Sequence, residues 1–125
     1  SAVVEYQVGA WRLLSGSARE FDESFVRQVA AADFDRTADL RDAFNHASLG
    51  DAYGFVGRLS EITQPVLIIH GTEDPVLPYA HALALQRDLP NTRLITLAGA
   101  GHEMHRADWP EILDAIDDHT SQIDH

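Results

Sequence analysis

The fold is decided by residues 65–74, PVLIIHGTED, in which an apolar run is followed by a glycine and then by an acid. Residues 94–102, LITLAGAGH, repeat this plan with paired glycines and end in a histidine. The unbroken apolar run 66–69 is typical of a strand that is covered on both faces of a sheet. Asp74 and His102 therefore follow two successive strands, at the carboxyl-terminal edge where an open α/β sheet places its reactive groups.

The residues around these motifs predict an alternation of strands and helices. Pro78 suits the first turn of a helix that begins near Tyr79 and ends before Pro90. The second strand is predicted over 93–97 and a last helix over 109–120. Two strands joined by a crossover helix run parallel. Because two strands alone do not make a stable sheet, we expect the chain to be part of a larger protein whose other strands come earlier.

The first half of the sequence contains no strand pattern and predicts helices instead. Apolar residues recur at helical spacing, and Asp22 or Ser24 is a suitable N-cap for the second helix. The apolar residues predict a first helix from Val3 that ends near Gly16, a second helix that contains Phe21 to Val29, and two short helices over 38–46 and 51–59. The chain is therefore divided into an all-helical segment, residues 1–61, and an α/β segment, residues 62–125.

Composition and charge argue against several classes of function. The chain carries 9 basic and 20 acidic residues, and a formal net charge of −11 disfavours nucleic acid or an anionic membrane as a partner. There is no cysteine, which excludes disulfides, thiolate metal sites and a thiol nucleophile. No apolar run approaches the roughly 20 residues that span a bilayer, and no signal peptide opens the sequence. We expect a cytoplasmic location and predict no cofactor.

Asp74 and His102 are the candidate catalytic residues. A carboxylate beside an imidazole fixes the tautomer and the orientation of the ring, which prepares it to act as a general base. Taken alone, Asp74 also fits a turn or cap residue, and Glu73 is a rival carboxylate that fits a solvated neighbour better. The two turns, 28 residues apart (102 minus 74), are more specific together, and the paired Gly99 and Gly101 would let the backbone bring the imidazole close to the acid.

Other side chains give weaker signals. His105 forms a His-x-x-His pair with His102, which suits a metal ion but lacks a third ligand. His70 ends the first strand and is assigned no chemistry. Four aromatic side chains fit either an apolar pocket or the core, and at helical spacing the core is their more frequent role. They are Trp11, Tyr53, Phe55 and Trp109.

The two motifs of the second half resemble the carboxyl-terminal end of the α/β-hydrolase fold. This resemblance covers residues 62–120, and the family orders its triad as nucleophile, acid and histidine. Residues 11–17, WRLLSGS, followed by an acidic helical stretch and then by PVLII, are similar to the cap and final segment of aclacinomycin methylesterase-like hydrolases. The resemblance implies that Asp74 is the acid, that His102 is the general base and that residues 1–60 form a cap over the substrate pocket.

The resemblance also implies parts that the sequence does not show. No serine has glycine both two residues before and two residues after it, so the G-x-S-x-G nucleophile motif is absent. We expect part of a serine hydrolase that acts on a small apolar ester, with its nucleophile and oxyanion hole outside these 125 residues, and therefore no activity of the chain alone.

Two alternatives remain open at this point. One is a non-catalytic module that binds an apolar ligand or a partner, and the other is part of a dehalogenase or epoxide hydrolase with an aspartate nucleophile. A sheet of two apolar strands also leaves an edge without a partner, and such edges pair with other chains. We therefore expect the chain to self-associate.

Overall fold

The computed structural model describes residues 1–37 and 57–121 of the 125-residue chain. The helices are α1 (Ala2–Leu14), α2 (Glu23–Arg36), α3 (Tyr79–Asp88) and α4 (Trp109–Ser121), and the strands are β1 (Val66–Gly71) and β2 (Thr92–Leu97). Short 3₁₀ turns occupy Leu59–Glu61 and Arg106–Asp108. The helix predicted over 38–46 lies outside the described residues, as does most of the helix predicted over 51–59.

The described residues fall into two compact units. Residues 1–13 and 21–37 belong to the first unit, whereas 14–20 and 57–121 belong to the second. The short segment 14–20 therefore groups with the strands rather than with the helices that precede and follow it. Within the described ranges, no helix combines the length and the apolar character needed to cross a membrane.

In the first unit, α2 begins at a capping residue that the sequence identifies. The Asp22 carboxylate accepts a hydrogen bond from the backbone amide of Phe25 at 3.0 Å, so Asp22 rather than Ser24 is the N-cap. α2 continues to Arg36, past Val29, the last of the apolar residues that predict this helix. The buried side chains of this unit's core are small or branched: Val4, Val8 and Ala30.

In the second unit, the two strands pair in parallel. The register runs from Val66 opposite Thr92 to Gly71 opposite Leu97, so the strands end at the same edge. The connection between them passes through α3, as the strand–helix–strand pattern predicts. The strand order places β1 directly beside β2.

Each face of this sheet packs against one helix. Ile68 is buried in a cluster with Ala82 of α3, whereas its neighbour Ile69 packs against a cluster that contains Ile112 of α4. Successive side chains of a strand point to opposite faces, which explains why adjacent isoleucines meet different helices. The apolar run of β1 is thus covered on both faces, as predicted from the sequence.

The contact between β1 and α3 can be tested with a single methylene deletion. We expect Ile68→Val to lower the free energy of unfolding by about 0.5–1.5 kcal/mol, since the side chain is buried and a small cavity is left behind. Leu113→Ala on α4 is the control, because Leu113 is 59% exposed and should change stability by less than about 0.5 kcal/mol. Urea denaturation followed by circular dichroism measures both, and equal effects would contradict the assignment of Ile68 to the core.

Candidate active site

The carboxyl-terminal ends of β1 and β2 lead into the two turns that carry the predicted residues. The acid turn, residues 72–78, contains Asp74, and the histidine turn, residues 98–105, contains His102. Because the strands are parallel, both turns leave the sheet at the same edge. The structure therefore brings the two candidate residues together.

Hydrogen bonds join the acid turn to the histidine turn and its preceding strand. The backbone amide of Thr72 donates to the carbonyl of Leu97 at 3.1 Å, and that of Glu73 donates to the carbonyl of Ala100 at 2.9 Å. The amide of Gly99 donates to the hydroxyl of Thr72 at 2.8 Å. Pairing between the two chain segments thus continues past the strand ends, so the two turns share one framework.

Asp74 uses both carboxylate oxygens. Oδ1 accepts hydrogen bonds from the backbone amides of Val76 and Leu77, each at 2.8 Å. Oδ2 lies 2.7 Å from Nδ1 of His102. The sequence allows two roles for Asp74, a turn residue or the partner of the imidazole. In the structure the same carboxylate makes the contacts of both roles. Its side chain is 6% exposed.

The ionisation of Asp74 determines the tautomer of His102. Burial of Asp74 alone would raise the pKa of its carboxyl, but hydrogen bonds from His102, Leu77 and Val76 outweigh burial and hold the pKa below its usual value. An ionised carboxylate only accepts hydrogen bonds, so in the neutral imidazole of His102 the proton lies on Nδ1 and the lone pair on Nε2. The imidazole side chain is 39% exposed, which leaves the ring accessible to a reacting group.

His70 borders the same carboxylate, although the sequence analysis assigns it no chemistry. Its Nδ1 donates to the carbonyl of Gly71 at 2.9 Å, and its Nε2 lies 3.9 Å from Oδ2 of Asp74. Nε2 is buried and has no hydrogen-bond partner among the described residues, and 3.9 Å is too long for a direct hydrogen bond. The spacing of four residues between His70 and Asp74, across the end of a strand, is the signal that could have identified this neighbour.

His105 does not form a metal pair with His102. Its Nδ1 accepts from the backbone amide of Ala107 at 3.1 Å, and its Nε2 donates to the carbonyl of Glu20 at 3.1 Å, so both ring nitrogens have protein partners. Residues 1–37 and 57–121 contain no cluster of three or more acidic, histidine or cysteine side chains suited to a metal ion. The geometry therefore gives no support to the metal interpretation.

The aromatic side chains that the sequence analysis singled out are not core residues where the structure describes them. Trp11 is 40% exposed and Trp109 is 41% exposed. The indole nitrogen of Trp109 donates to the carbonyl of Met104 at 3.0 Å. The core role that helical spacing favours for Trp11 and Trp109 is wrong, whereas Tyr53 and Phe55 lie outside the described residues.

Comparison with known proteins gives one family and several relatives. A family model described as the alpha/beta hydrolase fold matches residues 8–106. Alpha/beta hydrolase domain-containing protein 17C of Xenopus tropicalis is 43% identical over 53 residues, and its Homo sapiens counterpart is 42% identical over 53 residues. Alpha/beta hydrolase domain-containing protein 17B of Homo sapiens is 47% identical over 53 residues.

These matches cover a small part of each relative. The matched residues make up 42% of this chain, but only 17%, 16% and 18% of the three proteins in the order given. The chain thus matches less than a fifth of the length of these relatives.

The lowered pKa of Asp74 predicts how stability depends on pH. A carboxyl whose pKa is lower in the folded state stabilises the fold at pH values above its unfolded-state pKa. This contribution is lost as the pH falls through the folded-state pKa. We expect Asp74→Asn to destabilise the chain by about 1–3 kcal/mol at neutral pH. The difference from wild type should shrink as the pH is lowered below about 4.

Urea denaturation of both proteins from neutral to acidic pH measures this difference. Asp114→Asn removes an exposed carboxyl from α4 and serves as the control. A destabilisation by Asp74→Asn that is the same at every pH would contradict the ionised pairing of Asp74.

Proposed function

We propose that this chain, which belongs to the α/β hydrolase fold family as its sequence predicts, contributes the acid and the general base of a hydrolase active site. The family does not specify the reaction, because one fold serves many chemistries. The observation that supports the proposal is the 2.7 Å contact between Nδ1 of His102 and Oδ2 of Asp74 at the carboxyl-terminal edge of the sheet. An imidazole held by a buried carboxylate is suited to proton transfer.

In the proposed reaction, Nε2 of His102 removes the proton from a serine hydroxyl while the serine oxygen attacks the carbonyl carbon of an ester. The proton then passes to the leaving alcohol, and an acyl-serine remains. A water molecule next gives a proton to Nε2 and attacks the acyl carbon. The bond between this carbon and the serine oxygen then breaks, Nε2 returns the proton to that oxygen, and the acid is released. Asp74 stabilises the positively charged imidazolium in both steps and holds the ring in place.

The serine of this mechanism and its oxyanion donors are proposed to lie outside these 125 residues. No serine in the sequence has the flanking glycines of the nucleophile motif, and the relatives are much longer than the stretch that matches them. We further propose that residues 1–61 form a cap and that the substrate is a small apolar ester. These two points rest on the resemblance to aclacinomycin methylesterase-like hydrolases.

The proposal is tested in the protein encoded by the longest reading frame that contains this chain. There, His102→Ala should lower kcat on p-nitrophenyl esters by about 10²–10⁴-fold, the usual contribution of a general base, with little change in KM. Asp74→Asn should lower kcat in the same way, since the amide donates to the ring and favours the wrong tautomer. The 125-residue chain alone should not hydrolyse these esters above background.

His81→Ala is the matched control, because His81 is an exposed histidine on α3. Wild-type rates for both His102→Ala and Asp74→Asn would overturn the proposal. A fluorophosphonate probe labels an activated serine but not an aspartate. Labelling that requires His102 would therefore favour a serine hydrolase over an enzyme with an aspartate nucleophile.

A further inference from the structure

The segment Leu14–Glu20, here called the strap, belongs to the same compact unit as the acid turn and the histidine turn. It begins at the last residue of α1 and ends before α2. The proposed mechanism assigns it no role. Its hydrogen bonds nevertheless reach both turns, and they meet the chain directly beside Asp74 and at His102.

On the histidine turn, the strap bonds to the candidate base itself and to the next residue. The backbone amide of His102 donates to the carbonyl of Leu14 at 2.8 Å. The amide of Gly16 donates to Oε1 of Glu103 at 3.2 Å. A carbonyl at the end of a helix has no partner within that helix, so His102 supplies the partner that the carbonyl of Leu14 needs.

On the acid turn, the strap bonds to the residue that precedes Asp74. The amide of Ser17 donates to Oε2 of Glu73 at 2.7 Å, and its hydroxyl donates to Oε1 at 2.7 Å. Both oxygens of Glu73 are therefore held by one strap residue. The hydroxyl of Ser17 and then its amide lower the pKa of Glu73, which keeps the carboxylate ionised as an acceptor. Glu73 is exposed, as expected of a solvated neighbour of Asp74, and it also bonds to the strap.

The far end of the strap is fixed as well. Arg19 donates through Nε and Nη2 to Oδ1 of Asp108, at 3.1 and 2.5 Å, and Asp108 is only 3% exposed. The carbonyl of Glu20 accepts from Nε2 of His105. These contacts lie beyond the histidine turn and at its last residue, so the carboxyl-terminal end of the strap is held as well as the part that contacts Glu73 and His102.

Glycines allow the strap to approach this closely. A Cβ atom at Gly16 would collide with the carbonyl oxygen of Gly99, and one at Gly101 would collide with the carbonyl oxygen of Leu14. From the sequence, the glycines of the histidine turn are expected to allow a close approach of imidazole and acid. At Gly101 the space is instead occupied by the strap.

We propose that the strap is a positioning segment and that Glu73 and Glu103 are positioning residues. Together they hold the acid turn and the histidine turn in the arrangement that the hydrogen bond between Asp74 and His102 requires. The sheet fixes where each turn starts, whereas the strap fixes the turns next to the two reacting side chains. The importance of this role for a reaction rests on the proposed function, but the placement of the imidazole does not.

Several bonds along one segment achieve what a single bond would not. Glu73 is exposed, so water competes for its oxygens and an isolated bond to Ser17 would contribute little. When one strap residue is bonded, its neighbours in the chain have already lost part of their conformational entropy. Each further bond therefore forms at a smaller entropic cost. Removal of the contacts at Glu73 should therefore loosen the acid turn relative to His102.

The proton on Nδ1 of His102 reports this loosening. In the chain labelled with ¹⁵N-histidine, we expect Glu73→Ala to speed the exchange of that proton with water by roughly two- to tenfold, the range for loss of a hydrogen bond of ordinary net strength. Its resonance should also move toward that of a free imidazole. Glu111→Ala removes an exposed carboxylate from α4 and should leave both readouts unchanged.

Ser17 variants separate positioning from general stability. Ser17→Ala should give a smaller change in the same direction, because the amide contact remains, and Ser17→Thr should restore the wild-type signal. In the double variant, Ser17→Ala with Glu73→Ala, the Nδ1 proton of His102 should exchange only slightly faster than in Glu73→Ala alone, since the two side chains act through one contact. If Glu73→Ala fails to fold, Ser17→Ala decides the question.

An unchanged His102 signal in the folded variants would overturn the inference, even if stability fell, because the strap would then be only structural. Wild-type activity of His102→Ala in the full reading frame would sink the proposed function instead. That result would leave the imidazole measurement standing.

Discussion

The parallel pairing of β1 with β2 is the constraint on which the candidate site depends. Since both strands run in the same direction, the turns that follow them emerge side by side, and hydrogen bonds between the turns extend the pairing. In an antiparallel pair, the residues after the two strands would lie at opposite ends of strands that are each six residues long. That separation is about 20 Å. Asp74 and His102 would then never meet.

The sequence predicts this part of the structure because each of its signals is local. An apolar run followed by glycine and an acid or a histidine specifies a strand and the turn after it. Pro78 before Tyr79 marks the start of α3, which makes the connection a crossover and the strands parallel. Once the strands are parallel, the meeting of Asp74 with His102 follows from geometry, without knowledge of any distant contact.

The strap could not be predicted in this way. Its partners lie more than fifty positions away along the chain, and several of its donors are backbone amides, which every non-proline residue possesses. Glu73 and Glu103 carry no signal that separates them from other acidic residues in a chain with 20 of them. The predicted core role of Trp11 and Trp109 fails for a related reason, since periodicity shows which residues share a helix face but not how much of that face is covered.

The two oxygens of Asp74 link the backbone of the acid turn to the chemistry of His102. Two amides occupy Oδ1, so rotation of the carboxylate would break both of these bonds, and Oδ2 stays directed at the imidazole. The ionised Oδ2 holds the proton on Nδ1, which leaves Nε2 as the basic nitrogen. The basic atom is thus selected by the amides of Val76 and Leu77, through the carboxylate that stands between them and Nδ1. For this reason the turn-forming role of Asp74 does not compete with its candidate catalytic role: the turn supplies the rigidity that the pairing with His102 requires.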